Sequence, residues 1–220
     1  MKCLVVAPHP DDEVLGCGGT LLRRKSEGAQ LAWIIVTGMS TEGGWPRERV
    51  LAREEEIDAV AEKLGFDFVY QLQIPTTKVE VEGVSALVRR FSGILDLYEP
   101  NEIFIPYRYD AHTDHQVVSG AMSSCVKWFR CPSVRRVLAY ETLSETDAAL
   151  GQYVNFRPNY YVDISAFLEN KVEVMSIYAS ELEPFPFPRS PEAIRAKAQV
   201  RGIAAGYKAA EAFELLVERA

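Results

Sequence analysis

Short apolar runs alternate with amphipathic stretches along most of the chain, and that alternation predicts the architecture. Residues 2–7 form a continuous apolar run closed by Pro8, the pattern of a strand buried on both faces. Residues 14–27 then read as a helix, with Leu15, Leu21 and Leu22 apolar. Arg23, Arg24 and Lys25 fall in its last turns, where cations suit the helix dipole, and Gly28 ends it. Residues 31–37 read as a second strand, and the glycine-containing stretch 38–45 as a loop at its C-terminal end. Pro46 suits the start of a helix running to Leu64 and stopped by Gly65. The alternation continues with a short strand at 66–71, a helix at 82–98, a buried strand at 102–106, a helix at 113–129 and a strand at 136–141. Residues 159–163 precede a helix over 165–178; a proline-rich loop at 184–191 leads into a last helix over 192–206.

Strand–helix alternation of this kind predicts an α/β fold: a Rossmann-like, doubly wound, mostly parallel sheet with helices on both faces. Neither a repeat nor a linker divides the chain, so one domain is expected over residues 1–220. In such sheets ligands bind outside the C-terminal strand ends, where the strand order reverses. Gly16, Gly18 and Gly19 superficially follow a dinucleotide-binding fingerprint, but the pattern would need glycine at the position of Leu21. Close helix packing accounts for them better.

Hydrophobic residues make up 48% of the chain and charged residues 25%, ordinary globular values. The net charge of −7 and pI of about 5.1 argue against nucleic acid or an anionic membrane as partner. No apolar run approaches the roughly 18 residues of a membrane span. The first apolar run is too short for a signal-peptide core, so a cytoplasmic location is expected. Cys3, Cys17, Cys125 and Cys131 show no metal or redox spacing and are expected as buried free thiols, Cys17 in packing rather than lining a site.

Three histidines complete the picture, and all stand in two acidic clusters: His9 in Pro8–Glu13, and His112 and His115 in Asp110–His115. Both clusters directly follow expected strands, so both belong on the ligand-binding rim. His9 and Asp12 are three residues apart in a proline-containing turn, and His112 and His115 share that spacing on a first helical turn. Two histidines and a carboxylate with an open coordination position form a recurrent catalytic metal site. Asp11, Glu13, His112 and Asp114 remain beside such a site. A structural zinc centre would need no such surplus. The same donor set holds Fe(II) in oxygenases, for which an all-β barrel would be expected instead. Plainer readings also exist. Asp11 and Asp12 can serve as helix caps, Asp110 and Asp114 as solvated loop carboxylates, Glu13 as an anchor of the turn, and Arg53 with Glu56 as an exposed ion pair.

The strand followed by Pro-His-Pro-Asp-Asp-Glu, with a later His-x-x-His after the fourth strand, resembles the LmbE-like or PIG-L family of zinc-dependent de-N-acetylases. Arg53–Glu56 with Leu64-Gly65, Arg189-Ser190-Pro191, Arg201-Gly202 and Ala210–Phe213 extend the resemblance. It implies His9, Asp12 and His115 as ligands of Zn2+, with Fe2+ or another divalent metal as the alternative. It implies Asp11 as general base toward the water the metal activates, and His112 as oxyanion stabiliser and proton donor to the leaving amine. Asp114 is expected to orient His112 or raise its pKa, and Arg53 to contact substrate. The implied reaction removes acetyl from an N-acetylglucosamine-type sugar or conjugate, in a protein that is often a homo-oligomer. A non-catalytic sugar- or metal-binding member of the same scaffold is the rival. One departure stands out: Glu181 occupies a position where many members carry glutamine. Trp45, Tyr107, Tyr109 and Tyr140 are candidates for stacking on a sugar, or for packing. The loop Pro184–Pro188 is a candidate lid or interface.

Overall fold

A computed structural model describes residues 1–150 and 155–220. Its first strand, β1 (Lys2–Ala7), has Cys3 to Ala7 fully buried, because alternate side chains feed two different cores. Cys3, Val5 and Ala7 join one core; Leu4 and Val6 join the other. β2 (Gln30–Gly38) repeats this, with Leu31, Trp33 and Ile35 on one side and Ala32, Ile34 and Val36 on the other. This two-sided burial is why the strands read as continuous apolar runs rather than alternating ones.

The first core is roofed by α1 (Asp12–Ser26), α2 (Arg47–Leu64), α6 (Leu168–Met175) and α7 (Pro191–Ala205). The second lies under α3 (Val79–Glu82), α4 (Val84–Tyr98) and α5 (Thr113–Cys125). With β3 (Phe68–Pro75), β4 (Glu102–Pro106), β5 (Arg136–Tyr140), β6 (Tyr160–Asp163) and β7 (Ala210–Glu218), the strand order is β3-β2-β1-β4-β5-β7-β6. The five strands from β3 to β5 pair in parallel, whereas β7 pairs antiparallel with both neighbours. The sheet is therefore the expected mostly parallel one, and an all-β barrel is excluded. Strand order reverses between β1 and β4, the strands that the two histidine clusters follow.

Several elements differ from expectation. The helix expected over 113–129 stops at Cys125 and that over 165–178 covers only Leu168–Met175, while the third strand runs on to Pro75. β7 has no counterpart in the sequence reading: after Phe213 its residues are half-buried or exposed, and polar Glu211 lies buried within it. β6, which pairs with it, likewise reads as no more than a lead-in to a helix.

Glu211 explains an irregularity in α1, which breaks at Cys17 (φ −146°, ψ 18°). The freed N–H groups of Gly19 and Thr20 donate to Glu211 at 2.9 and 2.6 Å. Lys171 Nζ donates to Glu211 at 2.6 Å and to the Leu15 carbonyl at 2.8 Å. A buried ion pair thus supplies the partners that the broken helix lacks, as buried backbone groups require. The glycines of this stretch allow close approach, as expected: a Cβ on Gly16 would lie 2.2 Å from the Tyr140 ring, and one on Gly19 2.9 Å from Ile164. All four cysteines are buried free thiols, and Cys17 packs in the first core. No helix among the described residues is long and apolar enough to cross a membrane.

Candidate active site

The turn after β1 is fixed from three directions. Thr37, near the end of β2, donates through its backbone N–H (2.9 Å) and hydroxyl (2.8 Å) to the Pro8 carbonyl. Asp11 adopts φ 146°, ψ −28°, a conformation that favours glycine and costs an L-residue strain of roughly 1–3 kcal/mol. Glu13 holds it there: its fully buried carboxylate accepts the Asp11 N–H at 3.1 Å and the Tyr178 hydroxyl at 2.8 Å. Glu13 is thus an anchor of the turn. Asp11 stands at the N-cap of α1, but its side chain makes no capping bond; its carboxylate takes Arg189 Nη1 at 2.9 Å. Capping therefore does not account for Asp11.

Both clusters meet across the β1–β4 switch point. The His9 and His115 rings lie 5.3 Å apart and the His9 and His112 rings 4.5 Å apart. Asp12 Oδ2 is 3.4 Å from His9 Nδ1 and 3.2 Å from His115 Nε2, and it accepts the His9 backbone N–H at 2.8 Å. Ligand atoms from His9, Asp12 and His115 all lie within 4.8 Å of one another. His115 Nε2 is buried with no hydrogen-bond partner. An unpartnered imidazole nitrogen between a carboxylate and a second imidazole fits a divalent cation, which would occupy its lone pair.

The far nitrogens of these two histidines are each backed by a carboxylate. Asp110 accepts from His115 Nδ1 at 2.8 Å and from the Thr146 hydroxyl at 2.6 Å. Asp110 is fully buried, which corrects the solvated-loop reading; its role could be found only by knowing which way the His115 ring turns. Asp114 is buried too: its carboxylate lies 3.2 Å from His9 Nε2 and accepts the Thr77 N–H at 2.8 Å. It approaches His112 less closely, at 3.8 Å. The backbone N–H of Asp114 instead donates to His112 Nδ1 at 3.1 Å, with His112 as the N-cap of α5. The proton of a neutral His112 ring therefore sits on Nε2.

The electrostatics follow from these contacts. Burial opposes charge on His9, but hydrogen bonds with Asp114 and Asp12 outweigh it and hold its pKa at about 9. His115 is likewise held at about 10, the neighbouring Asp12 and Asp110 overcoming burial. Burial would raise Asp12, yet the two imidazoliums hold it well below the usual carboxylate range. Asp11 is pushed up to about 7 by burial and the Asp12 charge, with Arg189 pulling the other way. Burial and the His9 charge lower His112, favouring the neutral ring.

A cleft of about 270 Å³ opens over these groups. Trp45, Arg53, Glu145, Glu181 and Arg189 line it, together with Asp11 and the three histidines. Of the four aromatic candidates, Trp45 lines the cleft, Tyr107 and Tyr140 are buried, and Tyr109 is exposed outside the cleft lining. Arg53 is not the exposed member of an ion pair. It is buried and bonded to the Pro10 carbonyl at 3.0 Å, to Ser180 at 3.2 Å, to Glu56 at 3.2 Å and to Glu181. Arg189, which the sequence reading gave no role, reaches Asp11 from the end of the proline-rich loop; its place in the Arg189-Ser190-Pro191 pattern was its one signal.

An open α/β sheet with a candidate two-histidine, one-carboxylate metal cluster at its switch point is of the class that binds its ligand over the C-terminal strand ends. Residues 4–126, which carry both clusters, match the family model described as PIG-L: GlcNAc-PI de-N-acetylase, and the chain belongs to this family. It is similar to the diacetylchitobiose deacetylase of Thermococcus kodakarensis, with 29% identity over 191 residues, 82% of this chain and 70% of that one. A probable N-acetyl-alpha-D-glucosaminyl L-malate deacetylase 2 of Bacillus cereus is 25% identical over 191 residues, 82% of this chain and 83% of that one. Among solved structures, a conserved protein of Thermus thermophilus superposes with a TM-score of 0.77 at 28% identity, covering 99% of this chain and 96% of that one.

Proposed function

We propose that this protein is a metal-dependent amide hydrolase that removes acetyl from an N-acetylglucosamine-type sugar or conjugate, releasing acetate and a free amine. The observation that carries this reading is the convergence of His9, Asp12 and the unpartnered His115 Nε2 beside a strained, buried Asp11. The deacetylases among its relatives support the acyl group and the sugar.

His9, Asp12 and His115 would hold the ion, and zinc suits this donor set and a hydrolysis, with Fe2+ the alternative. When bound, such an ion lowers the pKa of a water to about 7 and polarises a carbonyl. Asp11 is the general base: burial and the Asp12 charge raise its proton affinity while Arg189 and a bound cation favour its ionised form, so its carboxylate can take a proton from the attacking water and return it to the departing nitrogen. His112 presents Nε2–H to the carbonyl oxygen as negative charge develops there. Because its Nδ1 already accepts a backbone N–H, a neutral His112 keeps its Nε2 proton, and protonation of the amine falls to Asp11. Asp110 and Asp114 orient His115 and His9, as outer carboxylates commonly do for metal-bound histidines. Arg53 and Arg189 hold the substrate side of the cleft in shape around Glu181.

Asp11→Asn tests the assignment. Metal content should equal that of the wild type, while acetate release from an N-acetylglucosaminide falls by roughly 10²–10⁴-fold. Full turnover in that variant would remove Asp11 from the chemistry.

A further inference from the structure

Beyond the metal ligands, the cleft carries more carboxylates than cations. Among the described residues lining it, the permanent cations are Arg53 and Arg189, and both are already paired. Arg53 meets Glu56 and Glu181; Arg189 meets Asp11 at 2.9 Å and Glu181 at 3.2 Å. Two guanidiniums are therefore shared among three carboxylates. Arg189 Nε is buried without a hydrogen-bond partner, while the guanidinium already meets Asp11 and Glu181.

Two further carboxylates line the cleft with no lysine or arginine paired to them among the described residues. Glu54 projects from α2, beside Arg53, and Glu145 follows β5, where its carboxylate accepts only a 3.3 Å hydrogen bond from Ser144. α2 follows β2, and β2 and β5 flank β1 and β4, so the two carboxylates stand on opposite sides of the switch point. A substrate that extends from the metal site toward either side wall of the cleft approaches one of them. The net charge of −7 adds long-range repulsion of anions in the same direction.

We infer that the cleft selects N-acetylglucosaminides whose remaining part is uncharged or carries an ammonium group, and discriminates against those bearing a carboxylate or phosphate. This rests on the deacetylase reading and narrows its substrate class. A unit charge held near an unpaired carboxylate at a partly solvated site changes affinity by roughly tenfold, and salt weakens the effect.

Three probes separate the possibilities: diacetylchitobiose, the same disaccharide with a free amine on its reducing sugar, and an N-acetylglucosaminyl malate. In metal-loaded protein at low ionic strength, kcat/KM for the first two should exceed that for the malate conjugate by roughly tenfold or more. Glu54→Gln combined with Glu145→Gln should move the ratio of ammonium to malate probe toward unity by about tenfold. Reading the ratio cancels any general loss of folded enzyme. A malate conjugate processed as fast as the other two, or a ratio unmoved by the double substitution, would overturn the inference. If no probe releases acetate, the deacetylase reading fails, and calorimetric binding of the same three probes to the metal-loaded protein still reads the charge preference. Tighter binding of the malate probe there would also overturn it.

Discussion

Two imidazoles and a carboxylate would be a poor metal site if the rings could turn freely. His9 and His115 cannot, because Asp114 and Asp110 hold their far nitrogens. The same contacts set a proton competition. Without metal, charged His9 and His115 stabilise the fold, a contribution fully present below the ordinary value of 6.5 and lost as pH rises through about 9 and about 10. A metal must displace both protons, so its affinity should rise with pH, by about a hundredfold per unit between pH 6 and 8. Calorimetric titration of metal into the protein across that pH range reads this slope, and in it Asp110→Asn should lower affinity by roughly 10–100-fold at pH 7. A pH-independent affinity would mean that these imidazoles are not the ligands. At this scale the candidate site was legible in the sequence, since every histidine stands beside carboxylates, and the family resemblance supplied the candidate ligand set. The residues behind them were not. Asp110 looks like any loop aspartate until the ring of His115 is placed, and Arg189 reaches Asp11 from 178 positions away.

Elements place these residues, and α1 does so by being broken. Its first turn carries Asp12 and Glu13, and its continuation restarts after Cys17 on the Glu211 carboxylate. Glu211→Ala would strand the buried Lys171 charge together with two backbone N–H groups, at a cost of about 3–5 kcal/mol. For a chain of this size that lowers the melting temperature by roughly 6–20 °C, readable by calorimetry. A shift below about 2 °C would show that the pair does not hold the break. The central strands were legible because two-sided burial makes them uniformly apolar. β7 was not, because it lies near the edge of the sheet, hides a glutamate and turns outward after Phe213, so it shows neither a clean alternation nor an apolar run.

In the whole molecule, the order of strands does what no single element can. β1 and β4 are adjacent although β2 and β3 separate them in sequence, and the reversal of direction there opens the crevice in which the two clusters meet. The alternation of strand and helix was enough to expect such a crevice and to put both clusters on its rim. The shape and charge of its walls were not readable, since Glu54, Glu145, Glu181 and Arg189 come from four separate segments. Metal-dependent deacetylation is tested most directly by one measurement: acetate released from diacetylchitobiose by chelator-stripped protein as zinc is added back. Activity should be absent at first and rise to a plateau at one equivalent per chain, with no rise when His115 is replaced by alanine. Acetate release that persists without metal, or that survives the loss of His115, would contradict it.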